Sequence, residues 1–168
     1  MSSKQQRLAI VAALHEELSE WLAQLADRRC ERVAGRDVWV ATFRGQSIVV
    51  TLSGIGKVAA ATTATLLIQR FGVQRIVFTG VAGGLGPGVA VGDVVVAQRF
   101  LQHDMDASPL FPRHEMPGYG RSTFDADAAL TARLVGATET VLRRLPAQLP
   151  DAVRQAFGLH APACHQGL

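Results

Sequence analysis

Two adjacent carboxylates, Glu16 and Glu17, stand directly after an apolar run ending in Ala13-Leu14-His15. A carboxylate held at a cleft and aimed by the backbone can take a proton from water as a general base. The same charges at the start of a helix are also stabilised by the helix dipole with no chemistry involved, and the residues alone leave both readings open. A second feature is Thr79-Gly80-Val81-Ala82-Gly83-Gly84-Leu85, entered from an apolar strand and left through Val91-Gly92-Asp93-Val94-Val95-Val96. Residues without side chains at a strand end let main-chain N–H groups approach a small molecule closely. A third is His103-Asp104-Met105-Asp106, whose side chains are metal-ligand types. Alternation along a strand puts His103 opposite Asp104, so they do not converge without a bend. A buried aspartate accepting backbone hydrogen bonds is expected there instead, and no metal is assigned.

Two superficial matches fail on spacing. Gly54-Ile55-Gly56-Lys57-Val58 is not a phosphate loop, because Thr51 stands where its first glycine is needed and Val58 where Ser or Thr is needed. The glycines from 80 to 88 lack the GxGxxG spacing of dinucleotide sites. No cofactor is therefore expected.

These residues need elements to position them. Leu8 to Leu14 reads as a buried strand, and His15 to Ala26 as a helix with Leu18, Leu22 and Leu25 on one face. Glu31 to Val33, Val38 to Phe43 and Ser47 to Thr51 read as an antiparallel meander with tight connections at Gly35 and Gly45. The alanine- and leucine-rich stretch Lys57 to Phe71, bounded by Gly56 and Gly72, predicts a packed helix. Arg75 to Thr79 is a further strand and Asp93 to Gln102 a long one. A loop at Pro109 to Gly120 precedes an amphipathic helix over Asp125 to Arg143, and a short helix is expected near Asp151 to Phe157. Alternating strands and helices predict an α/β domain whose sheet is covered on both faces. Ligands in such sheets sit beyond the carboxyl ends of strands, which puts Leu14 to Glu17, Gly80 to Leu85 and Leu101 to Asp106 in contention for one cleft.

Composition narrows the class. With 168 residues, 48% hydrophobic and 18% charged, one globular domain over 1–168 with a sizeable core is expected. The apolar run Leu8 to Leu14 is too short for a membrane span, and no cleavage-site pattern follows the polar start, so a cytoplasmic protein is expected. Cys30 and Cys164 form no CxxC pair, which favours two reduced thiols. The net charge of +3 comes from scattered arginines with no basic run interleaved with aromatics, so nucleic acid is not an expected partner. Trp21 and Trp39 read as core or interface residues.

Taken in order, Ala13-Leu14-His15-Glu16-Glu17-Leu18, Ser53-Gly54-Ile55-Gly56-Lys57-Val58-Ala59-Ala60, Thr79 to Leu85, Val91 to Val96 and His103 to Asp106 resemble the nucleoside phosphorylase superfamily. Within it the sequence is most similar to the 5′-methylthioadenosine/S-adenosylhomocysteine nucleosidases. The resemblance implies a three-layer α/β/α sandwich around a central mixed sheet, a homodimer, and a role in nucleoside catabolism and methionine salvage. It also implies a reaction: hydrolysis of the N-ribosyl bond of a purine nucleoside by water, releasing adenine from methylthioadenosine or S-adenosylhomocysteine.

Residue by residue, Glu17 matches the family's water-activating base, while His15 stands where many members carry another glutamate. Leu14 and Ile55 match apolar positions near the nucleoside, and Val81, Ala82 and Gly83 match the run beside ribose and base. Val81 replaces a serine that in some members helps hold the water. Leu110, Phe111 and Pro117 fall in the loop that, in the family, covers the 5′-substituent of a neighbouring subunit's substrate. Phosphorylases of the superfamily hold an anionic nucleophile with arginine. Here Glu16 and Glu17 repel phosphate at close range and Phe78 precedes Thr79, so water is the better-matched nucleophile.

Family members continue beyond the strand expected at His165 to Leu168 into a Ser-Gly-Asp segment at the adenine, a Met-Glu pair at the ribose hydroxyls and the aspartate that protonates the leaving base. The chain is accordingly expected to be truncated at its C-terminus and weak or inactive alone. Alternatives are a phosphorylase of the same superfamily, or a non-catalytic module that dimerises through the helix at 57–71 and the loop at 109–120.

Overall fold

The computed structural model describes residues 6–145, 149–156 and 162–167, which divide into two compact units meeting in sequence at Gly83 and Gly84. The first unit is built on one mixed sheet. Its elements are β1 (Arg7–Ala12), α1 (Ser19–Ala23), β2 (Arg29–Val33), β3 (Arg36–Phe43), β4 (Gln46–Leu52), α2 (Lys57–Phe71) and β5 (Val73–Phe78). The spatial order is β2-β3-β4-β1-β5, with β4, β1 and β5 mutually parallel and β2-β3-β4 an antiparallel meander.

Alternation along β1 sorts the core onto two faces. Ile10 and Ala12 pack with Ile48, Val50, Leu18, Leu22 and Leu25 under the α1 segment. Ala9 and Val11 pack with Val49, Val38, Leu67 and Phe71 under α2. Both faces of the sheet are therefore covered, as the apolar strands predict, and the layering is the expected α/β/α sandwich. Trp21 and Trp39 lie against the first of these clusters, Trp21 meeting Phe43 edge-on at 5.5 Å.

The meander turns on two two-residue hairpins. Ala34-Gly35 and Arg44-Gly45 have positive φ at both central positions (49° and 76°; 49° and 78°), between the paired residues Val33 and Arg36 and between Phe43 and Gln46. This is the primed-turn geometry that matches strand twist and favours glycine second. Helix α2 follows the expected span and ends at Gly72, whose N–H donates to the Leu67 carbonyl. Arg7 Nη1 donates to the Phe71 carbonyl at 2.7 Å, satisfying an orphan acceptor of that last turn.

The first helix differs from expectation. His15 to Leu18 form a turn, with Leu18 N–H and Ser19 N–H both donating to the His15 carbonyl, and α1 is five residues long. It stops where Arg28 Nη1 takes the Leu22 and Leu25 carbonyls at 2.8 and 3.0 Å. Leu18, Leu22 and Leu25 still share a buried face.

The second unit holds β6 (Val94–Ala97), β7 (Arg99–Leu101), β8 (Thr123–Asp125), α3 (Ala128–Arg144), α4 (Asp151–Ala156) and β9 (Cys164–Gly167). The long strand expected over Asp93 to Gln102 is broken at Gln98. Its first part pairs in parallel with β9 and its second antiparallel with β8. Gln98 makes the switch, donating its N–H to the Gly167 carbonyl and accepting from Ala126 N–H. The α3 helix packs on β6 and β9. It starts three residues later than predicted because Asp127 is its N-cap, accepting from Leu130 N–H at 2.9 Å. Phe157, the expected end of the short helix, and Leu168 lie outside the described residues. Among the described residues no helix is long and apolar enough to cross a membrane, and Cys30 and Cys164 are free thiols.

Candidate active site

Because β4, β1 and β5 are parallel neighbours, their carboxyl ends open on one edge of the first unit. Two main-chain bonds carry the ladder past the strands: Ser53 N–H donates to the Ala12 carbonyl at 2.8 Å and Thr79 N–H to the Val11 carbonyl at 2.9 Å. Three loops leave that edge, at residues 13–17, 53–56 and 79–83. The strand ends at Ala12 rather than Leu14 because the next two amides are taken by a side chain. Ala13 N–H and Leu14 N–H donate to Glu17 Oε2 at 3.0 and 2.9 Å. The other oxygen, Oε1, accepts from Val81 N–H at 2.9 Å, across from the loop after β5.

Glu17 is thus gripped by three amides from two loops. Hydrogen bonds to the ionised form favour it, and those from Val81, Leu14 and Ala13 hold its carboxyl below the ordinary glutamate range against a smaller desolvation effect. It sits in the turn before α1, not in the helix. Three amides, rather than a helix dipole, fix its charge. Glu16, next to it, is exposed.

Of the sequence-predicted residues, Glu17, Leu14 and Val81 are brought together by these bonds. Ile55 lies on the adjoining loop after β4, and Ala82 and Gly83 follow Val81. Leu14, Ile55 and Val81 are 39%, 79% and 85% exposed, so three large apolar side chains line the rim of this edge without being used in the core. Leu110, Phe111 and Pro117 belong to the second unit, in the loop between β7 and β8. Leu110 and Phe111 both donate N–H to the Ala107 carbonyl, and the Leu110 side chain is exposed.

The segment His103 to Asp106 is a turn and coil beyond the end of β7, not a strand. Asp106 is exposed and bonds Ser108 through both its N–H and its hydroxyl. Among the described residues no group of three or more His, Cys, Asp or Glu side chains is arranged to hold a metal ion. The buried aspartate is Asp93 instead. Its side chain is 6% exposed and accepts from Ala163 N–H, Ala90 N–H and the His165 ring, all at 2.8–2.9 Å. Those bonds lower its pKa to about 2, and the only sequence signal for it is its place after Gly92 at the start of an apolar strand. An open groove of about 570 Å³ runs along the outer face of α2 between Ala61 and Arg70, beside Ala34, and contains none of the site residues.

A mixed sandwich whose parallel strands end at an anchored carboxylate and a glycine run agrees with a wider relationship. The family model of the phosphorylase superfamily matches residues 7–155, and the chain belongs to that superfamily. Within it, the sequence is similar to a 5′-methylthioadenosine/S-adenosylhomocysteine nucleosidase of Marinomonas sp. (strain MWYL1), 34% identical over 135 residues that make up 80% of this chain and 58% of the relative. Solved structures agree. An S-adenosylhomocysteine nucleosidase of Streptococcus pyogenes in complex with 5-methylthiotubericidin has a TM-score of 0.75 at 27% identity, covering 99% of this chain and 63% of that one. A 5′-methylthioadenosine/S-adenosylhomocysteine nucleosidase of Neisseria meningitidis in complex with methylthio-immucillin-A has a TM-score of 0.76 at 27% identity, covering 97% and 63%. The chain therefore spans about three fifths of the length of these relatives.

Proposed function

We propose that this chain is the water-activating part of a purine-nucleoside N-ribosyl hydrolase that releases adenine from 5′-methylthioadenosine or S-adenosylhomocysteine. The observation that carries the reading is the Glu17 carboxylate, held ionised by three main-chain amides at the carboxyl edge of β4, β1 and β5. The named activities of the relatives and the nucleoside analogues bound in the solved structures support the substrate class.

In the proposed reaction the bond from ribose C1′ to the base nitrogen breaks as water oxygen bonds to C1′. The water proton passes to Glu17, and the electron pair of the broken bond leaves with the base, which takes up a proton. A carboxylate with a lowered pKa is a weak base towards free water. It suffices here because the attacking water becomes strongly acidic as it bonds to an oxocarbenium-like carbon. An anionic nucleophile such as phosphate meets an ionised Glu17 with Glu16 beside it and is repelled. Leu14, Ile55 and Val81 supply apolar contact for the nucleoside, with Ala82 and Gly83 beside the ribose and base.

The remaining assignments belong to the same reading. Leu110, Phe111 and Pro117 cover the 5′-substituent of a neighbouring subunit's substrate in a homodimer. Residues 1–168 form one domain, supported by a single family match that runs through both units. Two free thiols suit a reducing cytoplasm, and the product sugar feeds methionine salvage.

Adenine release from methylthioadenosine at neutral pH tests the function. The chain joined to the C-terminal part of the Marinomonas relative is expected to turn over at ordinary enzyme rates of about 1–10³ s⁻¹. The 168 residues alone are expected to be at least about 10²-fold slower, the usual cost of one missing proton-transfer group. No adenine release from the joined chain overturns the reading.

A further inference from the structure

We propose that Gly80 is the positioning residue for the Glu17 carboxylate, its bare α-carbon leaving the space in which Oε1 reaches the Val81 N–H. The inference deepens the hydrolase reading and rests on it for the role of Glu17 as base. A methyl group placed on Gly80 lies 2.8 Å from Glu17 Oε1, 3.1 Å from its carboxyl carbon and 3.2 Å from Oε2. All three atoms of the reacting group are thus crowded by one carbon. The backbone of Gly80 is outside the left-handed region, so space, and not conformation, is what demands glycine here. Gly83, three residues on, differs: a methyl group there meets nothing within 4 Å.

The crowding is relieved in a particular way. The loop at 79–81 is pinned by Thr79 N–H on the Val11 carbonyl, whereas Glu17 is a flexible side chain on an open turn. In Gly80→Ala the carboxylate moves and the backbone does not. A shift of roughly 0.6–1 Å is enough to lose a 2.9 Å hydrogen bond to Val81. The grip from the second loop goes first, the carboxylate no longer points across the edge, and the fold persists. The charged groups nearest in sequence, His15 and Glu16 on the same turn and Lys57 at the start of α2, are unchanged in Gly80→Ala, where the atoms nearest the added methyl group are those of the Glu17 carboxylate.

The test uses the 168-residue chain and NMR, and involves no turnover. The side-chain carboxyl of Glu17 and the Val81 amide are titrated with pH in the unaltered chain, in Gly80→Ala and in Gly83→Ala. In the unaltered chain the Val81 amide is expected to follow the Glu17 titration, and Glu17 to titrate below an ordinary glutamate. In Gly80→Ala the Glu17 titration is expected to move up towards that of an unconstrained glutamate while the Val81 amide stops following it. Gly83→Ala is expected to match the unaltered chain. Thermal melts in a Glu17→Ala background separate packing from positioning: with the carboxylate gone, Gly80→Ala is expected to be silent. The proposal is overturned by an unchanged Glu17 titration in Gly80→Ala, by an equal shift in Gly83→Ala, or by loss of folding from Gly80→Ala in both backgrounds. Absent adenine release from the joined chain speaks against the hydrolase reading alone, since these readouts report the seat directly.

Discussion

Glu16 and Glu17 carry the same charge on the same turn, and their surroundings separate them. Glu17 accepts from amides of two loops, while Glu16 is exposed. In the chain joined to the relative's C-terminal part, Glu17→Gln is expected to lower kcat by at least about 10²-fold with much smaller loss of inhibitor affinity. Glu16→Gln is expected to change it little, because Glu16 is an exposed charge on the turn before α1, and such a charge contributes under about 1 kcal/mol. Steady-state kinetics of the pair decide the assignment, and greater damage from Glu16→Gln reverses it. Asp93 is the second residue whose environment makes a prediction. Its pKa is lowered from 3.8 to about 2, so the folded state favours its ionised form. The stability it contributes is complete above about pH 4, the unfolded value, and is lost as pH falls towards 2. The gap in Tm between the unaltered chain and Asp93→Asn should therefore close as pH falls between about 4 and 2. A gap that persists at pH 2 contradicts this origin.

At the scale of elements, α2 joins one closely packed face to one open face. Leu67 is fully buried against β1 and β4, and Val58 at the start of the helix is 82% exposed. Leu67→Ala should destabilise the chain by about 2–5 kcal/mol through lost burial and the cavity it leaves. Val58→Ala, with no packing to lose, should stay within about 0.5 kcal/mol. Urea denaturation midpoints measure both. The α1 segment is held differently: a five-residue helix has little cohesion of its own, and Leu18, Leu22 and Leu25, with Arg28 on its last carbonyls, fix it to the sheet.

Across the whole molecule, burial is uneven. Among the described residues the buried apolar side chains run from Ala9 to Val73, and the second unit adds only Val135 and Leu142. Local opening free energy follows buried contact. Amide exchange should accordingly be slowest in β1, β3 and β4, and faster by orders of magnitude in β6 and β9. Equal protection in the two sets overturns that ranking. The edge bearing Glu17 belongs to the better-buried unit, so the proposed base stands on the more rigid part of the chain.

Much of this was legible in the residues themselves. The α2 helix is a run of alanines and leucines between glycines. Gly35 and Gly45 mark their hairpins, and the apolar strands require helices on both faces. These are short-range facts, set by propensity and by side-chain direction along a few residues. What the tertiary structure decided involves partners far away in the chain. Val81 reaches Glu17 from 64 positions on, and that bond distinguishes an anchored carboxylate from a helix-end charge. His165 reaches Asp93 across 72 positions, while Gln98 breaks an apolar run because two different strands arrive beside it. Gly80 reads in sequence as one glycine of a run, and only the carboxylate 2.8 Å from its missing methyl group gives it a separate role. Periodicity in a sequence says which way a side chain points, but a hydrogen bond or a clash needs a second chain segment, whose position the fold supplies.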